Sequence, residues 1–297
     1  MLVNAAGPWV TSVLDAAGGG REPARVQLVK GSHVVVPRAY VGDHALILQN
    51  SDRRIVFMIP YEQRFTLIGT TDVAVASLDE ARAIGTEETR YLLDAVNRYL
   101  AHPLFTRDIV WSYTGVRPLY DDGSNNPSET TRDYTLTVDD RDGVAQLSVF
   151  GGKITTYRRL AETALDRLQP WLRHRRGNWT HGEPLPGAVP DPAIAADLLR
   201  ARRPALPRPL LEALFRRHGA LADELLGDAR SPADLGRDFG GGLTEREVAW
   251  CVEREWAACA DDVLWRRTKA GLHMNVAQRA GFAHWFDRQR HRPATIA

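Results

Sequence analysis

The chain has 297 residues, with 38 basic against 37 acidic side chains and a formal net charge of +1, so nothing in its overall charge points to nucleic acid or another polyanion as a partner. With 44% apolar and 25% charged residues, it reads as an ordinary globular protein long enough for two domains. No apolar run approaches the roughly 20 residues that span a bilayer, and no secretory leader opens the chain.

The first segment, Leu2 to Trp9, reads as a buried strand that runs directly into a Gly-Pro turn. Residues 26–70 hold short β-branched and aromatic runs: Val34–Val36, Ala45–Leu48, Arg54–Ile59 and Phe65–Ile68. Polar residues, glycine and proline separate them, which predicts an antiparallel sheet. Tyr91, Leu92, Ala95, Val96 and Tyr99 recur at helical spacing within Thr86–Leu100. Strand character returns at Ile109–Trp111, Tyr134–Val138 and Leu147–Phe150, with an exposed loop expected over 121–127.

After residue 172 the character changes. Residues 173–192 have the composition of a linker, and a helical region follows. Asp191-Pro192 reads as an N-cap with proline at the first helical position, and Thr244 with Glu247 as a capping box. Val248, Cys251, Val252, Glu255, Trp256 and Cys259 trace one mostly apolar stripe, so both cysteines are expected in a single helix as small core residues of a reducing compartment. Their neighbours supply no His/Cys cluster for zinc. Trp250, Trp256 and Trp265 read as core or interface residues. The predicted organisation is a mixed α/β part over 1–172, with its sheet at about 25–118, a linker over 173–192, and an all-α domain over 193–297.

Four short stretches combine residue types that carry chemistry. In Asn4–Trp9, small residues after a strand let a backbone lie close to a ligand. In Lys30–Pro37, His33 sits at the mouth of a strand. In Tyr113–Leu119, Arg117 is held between a glycine and a proline. In Phe150–Glu162, a strand runs through Gly151 and Gly152 into a helix expected to carry Lys153 in its first turn. A cation there opposes the helix dipole, so the spot reads either as a tight turn with a solvated lysine or as a place where N–H groups and Lys153 meet an electron-rich ligand. Singly, each stretch has an equally simple structural reading: a packed turn, a satisfied strand histidine or a surface ion pair.

Together and in this order they resemble the FAD-dependent glycerol-3-phosphate dehydrogenases. The stretches that carry the resemblance are VNAAGPWV (3–10), KGSHVVVPR (30–38), RIVFMIPYEQRFTLIGTTD (54–72), YTGVRPLYDD (113–122), TRDYTLTV (131–138) and LSVFGGKITTYRRLAE (147–162). Ser231–Gly236 and Ala260–Lys269 resemble that family's C-terminal helical domain. The implied fold is the later part of a FAD-binding domain of the glutathione-reductase or D-amino-acid-oxidase type, an antiparallel substrate sheet and an all-α domain. The family opens on a glycine-rich strand-turn-helix that cradles the FAD pyrophosphate. No GxGxxG occurs here, so about 200 residues of such an enzyme are expected to be missing.

The resemblance implies FAD as cofactor, met by Ala6, Gly7, Pro8, Gly151, Gly152, Lys153, Ile154 and Thr155. It implies oxidation of the C2 alcohol of glycerol 3-phosphate to dihydroxyacetone phosphate. His33 is then the candidate base, Arg117 a bidentate clamp on substrate oxygens, and Lys153 a partner of either the flavin anion or the substrate phosphate. Electrons are expected to pass to a quinone at a peripheral membrane surface on the cytoplasmic face, with a homodimer as a further expected association. The competing expectation is an inactive remnant that survives as a folded interaction module. A related amine or hydroxy-acid flavin oxidase is a weaker third reading.

Overall fold

The β-branched and aromatic runs of residues 26–120 fold into one sheet in the computed structural model, which describes residues 1–18, 26–120, 133–141, 143–172 and 177–290. The chain divides into two compact units, residues 1–182 and 183–297.

The first unit opens with strand β1 (Leu2–Asn4), a tight turn at Gly7–Trp9 and helix α1 (Val10–Ala16). Then come β2 (Val26–Pro37), β3 (Leu46–Gln49), β4 (Ile55–Tyr61), β5 (Phe65–Gly69), β6 (Val73–Val75), helix α2 (Thr86–Asn97) and β7 (Trp111–Tyr120). Strand β2 is the spine. On one side it pairs with β5 through His33–Pro37 and with β6 through Leu28–Lys30; on the other it pairs with β7 along Val26–Val35. The edge is completed by β4 on β5 and β3 on β4, all antiparallel.

Side chains alternate across a strand, and the two faces differ accordingly. Val34, Val36, Val56, Met58 and Ile68 point to one face and are buried under Leu92, Ala95 and Val96 of α2. Each such aliphatic side chain contributes about 1.5–3 kcal/mol by leaving water. The other face carries His33, Tyr113 and Gly69, with Ile55, Phe57 and Ile59 partly open to solvent.

A second, three-stranded sheet joins β1 in parallel to β9 (Val144–Gly151), with β8 (Tyr134–Arg141) antiparallel on the far side of β9. Helix α3 (Tyr157–Leu168) covers it, burying Ala164 and Leu168 against Leu136, Leu147 and Val149. The expectation of a buried opening strand is corrected: Leu2 and Val3 are exposed and only Asn4 is buried. Among the described residues strand β1 has a ladder partner on one side only, and its Leu2 and Val3 stay 41% and 47% exposed. The expected loop over 121–127 lies outside the described residues.

The second unit contains α4 (Pro192–Arg202), α5 (Arg208–His218), α6 (Leu221–Leu226), a short hairpin of β10 (Asp238–Gly240) and β11 (Leu243–Thr244), α7 (Glu245–Glu255) and α8 (Val276–Arg290). Asp191 caps α4 by accepting from the amides of Ala193 and Ile194, and Thr244 caps α7 by accepting from that of Glu247. The single long stripe is corrected. Helix α7 stops at Glu255, where Trp256 takes a left-handed conformation (φ 56°) and is 87% exposed. Cys251 is buried and Cys259, beyond the helix end, is exposed, so the two thiols occupy different environments. Val252 is also exposed.

One polar cluster crosses this helical core. Glu247, fully buried, accepts from Arg217 Nε (2.6 Å) and Nη2 (2.7 Å) and lies 2.9 Å from His218 Nε2. It ties the end of α5 to the start of α7.

Candidate active site

Strand alternation places Gly31 and His33 on one face of β2 and Lys30 and Ser32 on the other. His33 has Gly69 as its ladder partner on β5 and Tyr113 on β7. Its imidazole lies flat between them. On one side it stacks on Tyr113, with ring centroids 4.9 Å apart and planes within 5°. On the other, a Cβ at position 69 would lie 2.7 Å from His33 Cγ and Nε2, and closer still to Cδ2. Glycine at 69 is therefore a steric requirement of the ring's position.

His33 Nδ1 is buried without a hydrogen-bond partner among the described residues. Burial, and secondarily the Arg117 cation, hold the imidazole below its ordinary pKa of 6.5. The neutral ring is thus favoured, with unused hydrogen-bonding capacity.

Arg117 sits two ladder steps along β7 from Gly115, which pairs with Gly31. Its guanidinium passes over Gly31, where a Cβ would meet Nη1 and Nη2 at 3.0 and 3.1 Å. Arg117 Nη1 donates to Asp72 Oδ1 in an ion pair about one-third open to solvent. Tyr61, at the end of β4, has its phenol pushed up to about 12, chiefly by burial and next by Tyr113 and Glu62. Its hydroxyl therefore stays a proton donor at any ordinary pH.

The two loops singled out in the sequence come together through the second sheet. Strands β1 and β9 are parallel neighbours, with Asn4 opposite Ser148, so Ala6–Pro8 and Gly151–Thr155 leave the sheet at the same carboxyl edge. Open-sheet folds of this kind bind ligands there. Buried Asn4 fixes the first loop by donating from Nδ2 to the Val10 carbonyl at 2.8 Å. Gly7 has φ 56° with open space where a Cβ would stand. Gly151 and Gly152 turn the chain with φ 67° and 96°, values that favour glycine. A Cβ at Gly151 would meet the Asp133 carbonyl at 2.9 Å and the Pro118 carbonyl at 3.8 Å. The strand carrying Arg117 thus ends beside the glycine pair, and the ring of its Tyr120 meets that of Phe150 edge-on at 5.6 Å.

The expected place of Lys153 is corrected. It is extended (φ −114°, ψ 147°) and stands before a tight turn at Ile154–Thr156, so α3 begins only at Tyr157. The two left-handed glycines delay the helix. Gly152, Lys153, Ile154 and Thr155 are all exposed, leaving amides and an ammonium open to a planar polar group.

Sequence reading missed Gly69, Asp72 and Tyr61. The stretch ending IGTTD was noticed for its resemblance, but its glycine and aspartate meet His33 and Arg117 only through the sheet register. Among the described residues no cluster of His, Cys, Asp and Glu could hold a metal ion, and no helix is long and apolar enough to cross a membrane.

The loops of the parallel strand pair open in the same unit whose antiparallel sheet bears His33 and Arg117. A family model described as "FAD dependent oxidoreductase" matches residues 2–158, and the chain belongs to that family. A second model, "C-terminal domain of alpha-glycerophosphate oxidase", matches residues 178–281.

Among particular proteins, the chain is 45% identical over 289 residues to the D-erythritol 1-phosphate dehydrogenase of Brucella abortus, covering 96% of this chain and 58% of that protein. It is 45% identical over 300 residues to the glycerol-3-phosphate dehydrogenase of Pseudomonas aeruginosa, covering 100% of this chain and 59% of that protein. The solved glycerol-3-phosphate dehydrogenase of Bacillus halodurans, complexed with FAD, superposes with a TM-score of 0.76 at 24% identity, over 97% of this chain and 57% of that one. That likeness shows the fold. The chain spans somewhat over half the length of these three proteins.

Proposed function

We propose that this chain supplies the substrate sheet, part of the flavin site and the helical domain of an enzyme that oxidises a phosphorylated polyol, with glycerol 3-phosphate as substrate and dihydroxyacetone phosphate as product. The observation that carries the reading is the pairing of a partly buried, neutral His33 with Arg117 on one sheet face, beside two glycine loops at the carboxyl ends of parallel strands.

FAD, when bound, would supply the acceptor for the hydride of the carbinol carbon. The loops at Ala6–Pro8 and Gly151–Thr155 fit its ring, because Gly7 has no neighbour above its Cα and the amides beyond Gly151 are exposed. Neutral His33 takes the hydroxyl proton. Arg117 donates in a fixed plane to the substrate's oxygens, and a planar fork does this better than an ammonium. Lys153 adds positive charge at the open edge, where it serves the reduced flavin or the phosphate. The enzyme passes its electrons to a quinone at the cytoplasmic face of a membrane, touches that membrane peripherally, and pairs as a homodimer.

D-Erythritol 1-phosphate is a second substrate to weigh, since the two named relatives are equally similar to the chain.

The test is a chimera in which the 297 residues replace the matching part of the Pseudomonas aeruginosa relative. Dye reduction should follow glycerol 3-phosphate and not glycerol, and a parallel assay with D-erythritol 1-phosphate decides between the substrates. A folded, flavin-loaded chimera inert towards both would reject the reading and leave the interaction-module alternative.

A further inference from the structure

Arg117 is held by a link whose own anchor lies on the opposite face of the sheet. Asp72, its ion-pair partner, belongs to the short connection from β5 to β6, residues 70–72. That connection has little ladder support: the Thr71 amide reaches the Ser32 carbonyl only at 3.4 Å. What fixes it is the side chain of Thr71, which is 2% exposed. Thr71 Oγ1 accepts from the Ser32 amide at 2.9 Å and donates to Glu88 Oε1 at 2.8 Å.

Glu88 is on α2, on the face away from His33. Its Oε1 also accepts from Ser32 Oγ at 2.6 Å, and its Oε2 from Lys30 Nζ at 2.6 Å and the Gly85 amide at 2.9 Å. Burial opposes its ionisation, but these donors outweigh burial and hold the carboxyl below its ordinary value. A buried ion pair so fully satisfied rarely adds much net stability, and its better-attested use is to select one arrangement.

Successive residues of the link face opposite ways. Thr71 points to Glu88. Asp72 reaches Arg117, and Thr70 Oγ1 stands 2.8 Å from where Gly31 would carry a Cβ, on the same side as the guanidinium. One peptide link therefore carries its Thr71 anchor on one face of the sheet and the counter-ion of Arg117 on the other.

We propose that Glu88 and Thr71 are positioning residues for Arg117: they lock the 70–72 link from behind the sheet, so that Asp72 fixes the guanidinium's rotation and leaves one edge for the substrate. This rests on Arg117 being the substrate's cation, but its test does not.

The 297-residue chain, labelled with ¹⁵N at arginine, should give one sharp Arg117 Nε signal, assigned by its absence in Arg117→Lys. Thr71→Val keeps the volume and deletes both hydroxyl bonds. Expected in the folded Thr71→Val chain is loss or broadening of that signal, with Thr71→Ser restoring it. An unchanged signal in folded Thr71→Val overturns the proposal, because a merely structural threonine would lower the melting temperature and leave Arg117 in place. Should Thr71→Val fail to fold, Asp72→Asn, at a partly exposed position, decides: the signal broadens if Asp72 fixes the guanidinium, and its persistence overturns the proposal. Titrating the flavin-loaded chimera, labelled in the same way, with glycerol 3-phosphate separates the two readings. A chimera whose Arg117 signal depends on Thr71 but ignores the phosphate ester rejects the substrate assignment and keeps the positioning role.

Discussion

Gly69 and His33 make the sharpest single-residue statement in the molecule. Alanine at 69 would drive its methyl into the imidazole, so the ring must leave its stack on Tyr113. Placing a base contributes about 10²–10⁴-fold to a proton transfer. Gly69→Ala in the chimera is therefore expected to lower kcat by roughly that factor, as His33→Ala does. The double variant should lose little more, since both changes remove the same element. A Gly69→Ala enzyme with unaltered kcat would show that His33 is not the base. The pH dependence follows from the direction of the His33 shift. Its pKa is lowered, so the free base persists below 6.5 and is lost only as pH falls through the lower folded value. The acid limb of kcat/KM should therefore lie below 6.5 and vanish in His33→Asn. Arg117→Lys keeps the charge and loses the fork. Losing the charged contact altogether, as in Arg117→Ala, costs about 2–5 kcal/mol, read as a fall in kcat/KM for the phosphorylated substrate, and Arg117→Lys should recover only part of it.

Helix α2 serves two ends of the same design. Its apolar side covers the sheet, and Leu92→Ala, which empties a fully buried site, should cost about 2–5 kcal/mol in urea unfolding of the first unit. Its first turn presents Glu88 to Lys30, Ser32 and Thr71. Because the Glu88 pKa is lowered on folding, its contribution is present above the ordinary value of 4.5 and is lost as pH falls through the folded value. Urea midpoints of the first unit should drop across that acid range. Glu88→Gln should remove this slope while leaving the buried Lys30 unpaired, at a cost of about 3–5 kcal/mol at neutral pH. An acid slope unaltered in Glu88→Gln would mean that another carboxylate carries it.

The two units have separate cores, so residues 183–297 expressed alone are expected to melt cooperatively. In that fragment Glu247→Gln strands a buried Arg217 and should cost about 3–5 kcal/mol. Non-cooperative melting of the unaltered fragment would show that it depends on the first unit. The 297 residues hold no glycine-rich dinucleotide turn. Without that cradle for the pyrophosphate, the purified chain should lose FAD on gel filtration, whereas the chimera should elute yellow.

Local chemistry made much of this legible in the sequence. Short β-branched and aromatic runs between polar, glycine and proline residues marked β2, β4 and β5, and helical spacing marked α2. Cap residues marked the starts of α4 and α7, and the motifs around His33, Arg117 and Gly151 stood out as short strings. These signals lie within a few residues of one another, where backbone geometry ties sequence spacing to shape. Gly69, Asp72 and Glu88 were invisible as site residues, because their meaning lies in register. His33 is 36 positions before Gly69 and 80 before Tyr113, and only pairing of β2 with β5 and β7 brings the three together. Lys30 and His33 share one motif yet serve opposite faces. Trp256 and Lys153 were misplaced for a related reason: a left-handed residue ends or delays a helix, while hydrophobic spacing continues past it unbroken. Spacing along the chain reports which residues share a face, whereas tertiary pairing decides which faces meet.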